Sequence, residues 1–430
     1  MKSLYKVLKA STIMLFCLTL IISMAGCNEM KTTSREGKIE ISFMGWGNEQ
    51  ERELYTKVFK EFETRNPGYK VNYIYVPKDY DTKLKTMIIG NTMPDVFYIG
   101  ENLATEYAKS GKLAVLDPYI EKYPELVANF VPGLLEYGKY QGKQYAIPKD
   151  WSPYAMYINK DLFKEAGIPI PTSDWTMEEF MDLAQKLTIT EKGKITQYGA
   201  ALETWWAPWS IFVGNEGGKW FNNGKSNLND PKVIKGLKRM YDLFQTYKAA
   251  PSPAATKQAG MGQSQMFETG KVAMFPTGRW MVPTYRQALN FEWTAVEMPK
   301  GVTRVTPVSS GQLAVSNESD HKEAAVKLLR HVLSKEGLKG ILGLGLAMPT
   351  NTQFFDDPDI VTAPPEVEPY KAMAEYLDTE VQLEAARSGH FSEYMEKYVT
   401  PELDAAFNGK QSIEEAVENI DEQANTVLFK

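Results

Sequence analysis

Cysteine is nearly missing from this sequence. The 430 residues hold two, Cys17 and Cys27, and no thiol follows Cys27. The main body therefore has no cysteine nucleophile, no CxxC redox pair, no iron–sulfur site and no zinc ribbon. Histidine is as scarce: His321, His331 and His390 stand apart, and no HExxH pattern occurs. A histidine-based metal site is not expected, and neither is a cofactor. Positive charge is in deficit, with 48 Lys and Arg against 54 Asp and Glu, a formal net charge of -6. An acidic chain is a poor partner for polyanions, so nucleic acid is set aside. What remains is ordinary for a soluble globular protein: 43% hydrophobic and 24% charged residues. The length suggests two or three domains with sizeable cores.

The first residues do have a long apolar run. Lys2, Lys6 and Lys9 precede an apolar stretch from Ala10 to Ile22, and Ser23-Met24-Ala25-Gly26 follows. This order describes a secretory signal, and the run is short for a membrane span. Met24-Ala25-Gly26-Cys27 resembles a bacterial lipobox, in which cleavage precedes a cysteine that then carries acyl chains. The resemblance implies a signal peptide over 1–26, lipidation at Cys27 and a membrane anchor on the extracytoplasmic face. The alternative is an ordinary cleaved signal with an incidental cysteine. The polar stretch 27–37 reads as a tether. Removing 1–26 takes away three lysines and no acids, so the mature charge falls from -6 to -9.

Beyond the tether, apolar periodicity alternates between the two secondary-structure periods. Strands are expected over 39–44, 71–76 and 96–99, with helices over 49–66, 80–90 and 104–110 between and after them. This alternation implies an α/β domain with largely parallel strands. Later helices are expected over 178–187, 231–247, 321–334 and 413–428, and strands over 272–275 and 311–315. Ala249 to Gly262 reads as a surface loop, and Pro364-Pro365 as a break.

Two glycine motifs fail on spacing. Gly224-Lys225-Ser226 ends like a phosphate-binding loop, but five residues rather than four separate it from Gly218. Gly343-Leu344-Gly345 has Met348 where a dinucleotide fingerprint needs its third glycine. No G-x-S-x-G elbow is present. With 54 acids, no single carboxylate pair points to glycoside hydrolysis.

Tryptophan is the informative residue. There are nine. Trp175 reads as a helix-entry staple and Trp293 as a strand residue. A lone tryptophan belongs to a core more often than to a cleft. Trp46 between two glycines, Trp151 in Pro148–Tyr154, Trp280 after Gly278-Arg279, and the Trp205, Trp206, Trp209 group around Pro208 sit instead at element ends. That is where α/β folds place ligands. Indoles can cover the apolar face of a sugar ring, while Glu101, Asn102, Asp150, Arg279 and Gln312 could meet its hydroxyl rim.

At this point the chain resembles the extracellular solute-binding proteins of carbohydrate ABC transporters, the maltose-binding-like group. The resemblance rests on Ile39–Gly47 followed by Phe62–Gly68, on Met93–Phe97 and Tyr107–Leu113, on Gly142–Pro148 leading to Tyr157–Phe163, on Phe267–Met274 leading to Gly278-Arg279-Trp280, and on Ser334–Gly337 with Met348-Pro349-Thr350. It implies a two-lobed fold, each lobe a mixed, mostly parallel sheet flanked by helices, with a hinge near 149–154, 303–312 and 346–351. Lobe 1 would comprise 38–149 with 312–346, and lobe 2 150–311 with 347–430. Asp150, Trp151 and Tyr154 would face the cleft at the first crossing, and Trp280 would stack on the ligand. Phe391 is a candidate for the C-terminal aromatic contact, with His390 and Tyr394 as alternatives. Ile99, Asn102 and Leu103 depart from the maltose-binding member, which argues for a different sugar. The implied function is a monomeric, non-enzymatic carrier that delivers a sugar or oligosaccharide to a permease. A secreted glycoside-active enzyme, or the same fold binding another solute, are the competing readings.

Overall fold

The computed structural model describes residues 37–361 and 367–430. The signal segment, Cys27, the tether to residue 36 and the Pro364-Pro365 break lie outside the described residues. Ten of the strands among the described residues form two five-stranded sheets. They are β1 (Ile39–Gly45), β2 (Tyr69–Tyr75), β3 (Val96–Gly100), β4 (Ala146–Pro148), β5 (Ala155–Asn159), β6 (Ile189–Glu191), β7 (Lys194–Ala200), β8 (Val272–Thr277), β9 (Trp293–Val296) and β10 (Gly311–Val315). The first sheet has the order β2-β1-β3-β10-β4, and the second β9-β5-β8-β7-β6. Each anchors its own apolar core, giving two lobes.

Both sheets are mixed, but parallel pairing does not dominate. β1 runs parallel to β2 and β3, whereas β10 is antiparallel to both β3 and β4. In the second sheet only β7 and β8 pair in parallel; β5 is antiparallel to β8 and β9, and β6 to β7. The reason is the route of the chain. β5 and β10 enter their sheets from the other lobe, so they run away from the space between the lobes. The strands beside them run toward it.

Local chemistry explains the helices. Helix α1 (Glu49–Arg65) starts at a reciprocal cap: the Asn48 side chain accepts from the Glu51 amide, and the Glu51 carboxylate accepts from the Asn48 amide. Its buried stripe is Tyr55, Val58, Phe59 and Phe62. The segment 249–262 is not the loop expected, since Ser252 caps a helix at Pro253–Ala259. Pro at the first helical position needs no amide partner, so the Ala- and Gln-rich stretch can wind after it. The helix expected over 231–247 ends at Tyr241 and continues as a wider turn at Asp242–Thr246.

Three segments lie side by side between the sheets. Trp151 and Met348 exchange backbone hydrogen bonds of 3.1 and 2.9 Å, Lys149 N donates to Gly311 O at 2.9 Å, and Ser152 N to Ser309 O at 2.7 Å. A third apolar cluster, with Trp151, Tyr157, Val308, Met348 and Tyr370, packs around them.

Candidate functional site

The strands that run toward the interlobe space end in the residues that line a cavity there. Its volume is about 520 Å³. Trp46 and Gly47 follow β1, Glu101 follows β3, and Lys149 and Asp150 follow β4. Trp205 lies beyond β7, and Trp280 and Met281 beyond β8. Ser309, Ser310 and Gly311 come from the segment entering β10, and Leu346 and Ala347 from the third crossing. A cleft at the carboxyl ends of strands is the general ligand position of open α/β sheets.

The Trp46 indole is held edge-on by Tyr80 and Tyr98, at centroid distances of 4.9 and 5.0 Å. Gly47 beside it has φ +140°, and a Cβ there would lie 2.1 Å from the Glu51 carboxylate. Only glycine suits that position. Trp280 meets Tyr154 edge-on at 5.6 Å. Trp205 stands at the lip, 37% exposed, and its indole N–H donates to Glu203 at 2.7 Å. Gln50 of α1 donates to Gln287 at 2.7 Å.

Polar groups share this lining. Lys149 and Asp150 form a buried ion pair. The Lys149 ammonium also lies 4.8 Å from the Tyr98 ring centre. Burial disfavours the ammonium, but Asp150 outweighs it and holds Lys149 above its ordinary value. Gly311 N donates to Asp150 at 3.3 Å, and Ser310 Oγ to the Asp150 carbonyl at 2.5 Å. Burial pushes the Glu101 carboxyl up to about 7. Glu51 is also raised by burial, with Lys149 opposing the shift. Among the described residues no group of three or more His, Cys, Asp or Glu could hold a metal ion.

Of the residues singled out from sequence, Trp46, Glu101, Asp150, Trp205 and Trp280 line the cavity. The others stand behind it. Trp151 is fully buried, and its indole N–H donates to the Pro349 carbonyl at 2.7 Å, so it packs the crossing. Tyr154 is buried beneath Trp205 and Trp280. Trp206 bridges Trp205 and the buried Phe391, each 5.6 Å away. Trp209 packs on Trp220 inside the second core. Asn102 accepts from Gln382 at 3.0 Å, and Gln312 is fully buried within β10. The fully buried Arg279 donates to the Ala347 carbonyl at 3.3 Å. Sequence reasoning did not single out Asn48, Glu51, Lys149, Ser152, Ser309 and Ser310, which also line the cavity. The expected crossings 149–154 and 303–312 contain four of these. The other two, Asn48 and Glu51, stand at the start of the helix expected over 49–66, where their reciprocal cap is a local signal that says nothing of a ligand.

Residues 46–339 match the family model described as bacterial extracellular solute-binding protein. The chain belongs to that family. A multiple sugar-binding protein of Streptococcus mutans is 26% identical over 338 residues, 74% of this chain and 77% of that protein. A lipoprotein of Streptomyces antibioticus is 26% identical over 367 residues, 80% of this chain and 77% of that protein. An ABC substrate-binding protein of Listeria monocytogenes, solved in complex with cycloalternan, matches with a TM-score of 0.83 at 27% identity, covering 91% of this chain and 100% of that one. In this solute-binding protein the match begins at Trp46, the first cavity residue in the chain.

Proposed function

We propose that this solute-binding protein captures a sugar or short oligosaccharide between its lobes and delivers it to the permease of an ABC transporter. One observation carries the reading: the indoles of Trp46, Trp205 and Trp280 line the same cavity as Glu51, Glu101, Lys149, Asp150 and three serines. A sugar ring offers an apolar face and a polar rim, and this cavity has a counterpart for each. The names of the streptococcal and Listeria relatives, a sugar-binding protein and a cycloalternan complex, agree with it.

The proposed lobes are 38–149 with 312–346 and 150–311 with 347–430; membership of the two sheets supports this division. Closure brings both lobes onto the ligand, so binding energy shifts a hinge equilibrium toward the closed form. No bond need break. A lipid at Cys27 would keep the monomer at the membrane beside its permease, in keeping with the lipoprotein relative.

Titration calorimetry against a carbohydrate library tests the reading. A saccharide should bind without being hydrolysed, and Trp280→Ala should weaken it about tenfold or more while the fold persists. Unchanged affinity in that variant would remove Trp280 from the site, and a hydrolysed product would favour a glycoside-active enzyme.

A further inference from the structure

The charged groups lining the cavity are unbalanced. Three are acids, Glu51, Glu101 and Asp150, and one is a base, Lys149. The Lys149 charge is consumed within the wall, by Asp150 and by the Tyr98 ring. The Glu51 carboxylate is engaged in the α1 cap, taking the Asn48 N–H at 2.6 Å. Glu101 differs from both. Its oxygens accept from Asn102 Nδ2 and from Ser310 N, both 3.3 Å long, and its own backbone N–H is a further donor to it. A carboxylate has about four lone-pair positions, so these neutral donors leave room for a further one. A partly buried carboxylate with long contacts and no cation beside it is costly to keep ionised. The same cavity carries the apolar surfaces of Trp280, Met281, Leu346 and Ala347.

Such a cleft offers acceptors and two acids without a paired cation, of which Glu51 is taken up in the helix cap and Glu101 is not, so it suits a ligand rich in donors. Resting on the reading of the cleft as a saccharide site, we infer that the preferred solute is a saccharide bearing a protonated amine, that Glu101 receives the amine, and that uronates and sugar phosphates are rejected. An ammonium beside the carboxyl favours its ionised form, so ligand and site settle each other's charge. A charge-assisted hydrogen bond of this kind is roughly twice as strong as its neutral counterpart. An anionic sugar would meet Glu101, Glu51 and Asp150 with no free cation in the cavity wall to answer it.

The test uses matched pairs differing at one position: 2-amino sugars and their 2-hydroxy analogues in gluco, galacto and manno forms, as monomers and short oligomers, with uronates alongside. Calorimetry at about pH 7 should give at least one amino member an affinity about fivefold or more above its hydroxy analogue. Uronates should give no heat. Glu101→Gln should bring the pair to within about twofold, and Glu101→Asp should retain part of the preference. Circular dichroism of both variants separates lost recognition from lost fold. If hydroxy members or uronates bind as tightly as amino members, or if Glu101→Gln leaves the preference intact, this inference fails while the saccharide reading stands. If no saccharide binds, both fail.

Discussion

Glu101 ties the stability of the fold to pH. Its carboxyl titrates from an ordinary 4.5 in the unfolded chain up to about 7 in the fold, because burial penalises the charged form. Between those values folding takes up a proton, so the group's contribution is complete below 4.5 and is lost as pH rises through about 7. Glu101→Gln removes this dependence. Thermal unfolding of parent and variant at about pH 5 and about pH 8 should show the parent losing more stability on the alkaline side. Equal losses would mean that Glu101 is no more buried than a surface acid. Residue identity was legible unevenly here. Trp46 and Trp280 gave themselves away by flanking glycines, whereas Trp151 and Trp209 carry the same chemistry and disappear into cores. An indole serves either purpose, and only its neighbours decide.

The loop after β8 shows how an element aims a side chain. Gly278 has extended backbone, φ -81° and ψ 175°, which any residue can adopt. A Cβ there would nonetheless lie 1.9 Å from the Trp280 ring. Gly278→Ala should therefore push the indole out of place with little backbone strain. We expect saccharide affinity to fall about tenfold with the denaturation midpoint close to the parent's, read by calorimetry and urea unfolding. A loss of stability with affinity unchanged would show that the ring yields elsewhere. Elements themselves were the most readable part of the chain. Helix α1 and strands β1 to β3 fall within two residues of their expected bounds, because period and caps are local signals. The helix at Pro253–Ala259 escaped because Pro and Gly near its ends outweighed a short apolar pattern.

For the whole molecule, a ligand held by both lobes should stabilise the fold by mass action. At a hundredfold excess over Kd the gain is about 2.7 kcal/mol. The thermal midpoint should rise with bound saccharide, and tryptophan fluorescence should change, since three indoles line the cavity. A midpoint independent of a ligand that calorimetry shows to bind would argue against selective binding to the native form. The proposed attachment is tested at this scale too. Cys27→Ser should move the protein from the membrane fraction to the medium and abolish acyl labelling; retained label would place the lipid elsewhere.

The sequence by itself determined that the chain has scarcely any reactive side chains, that α/β alternation builds it, and that Trp46 and Trp280 sit beside glycines at element ends. Each of these is composition or local periodicity, which needs no partner to be read. Tertiary structure decided which indoles meet in one cavity, which acids face them, and which strands reverse direction. Those outcomes depend on residues such as Trp46, Glu101 and Trp280, which lie far apart along the chain. They are neighbours only because the crossings at Trp151 and Met348 hold the strand ends of the two sheets around one space. That meeting is long-range, and no local pattern encodes it.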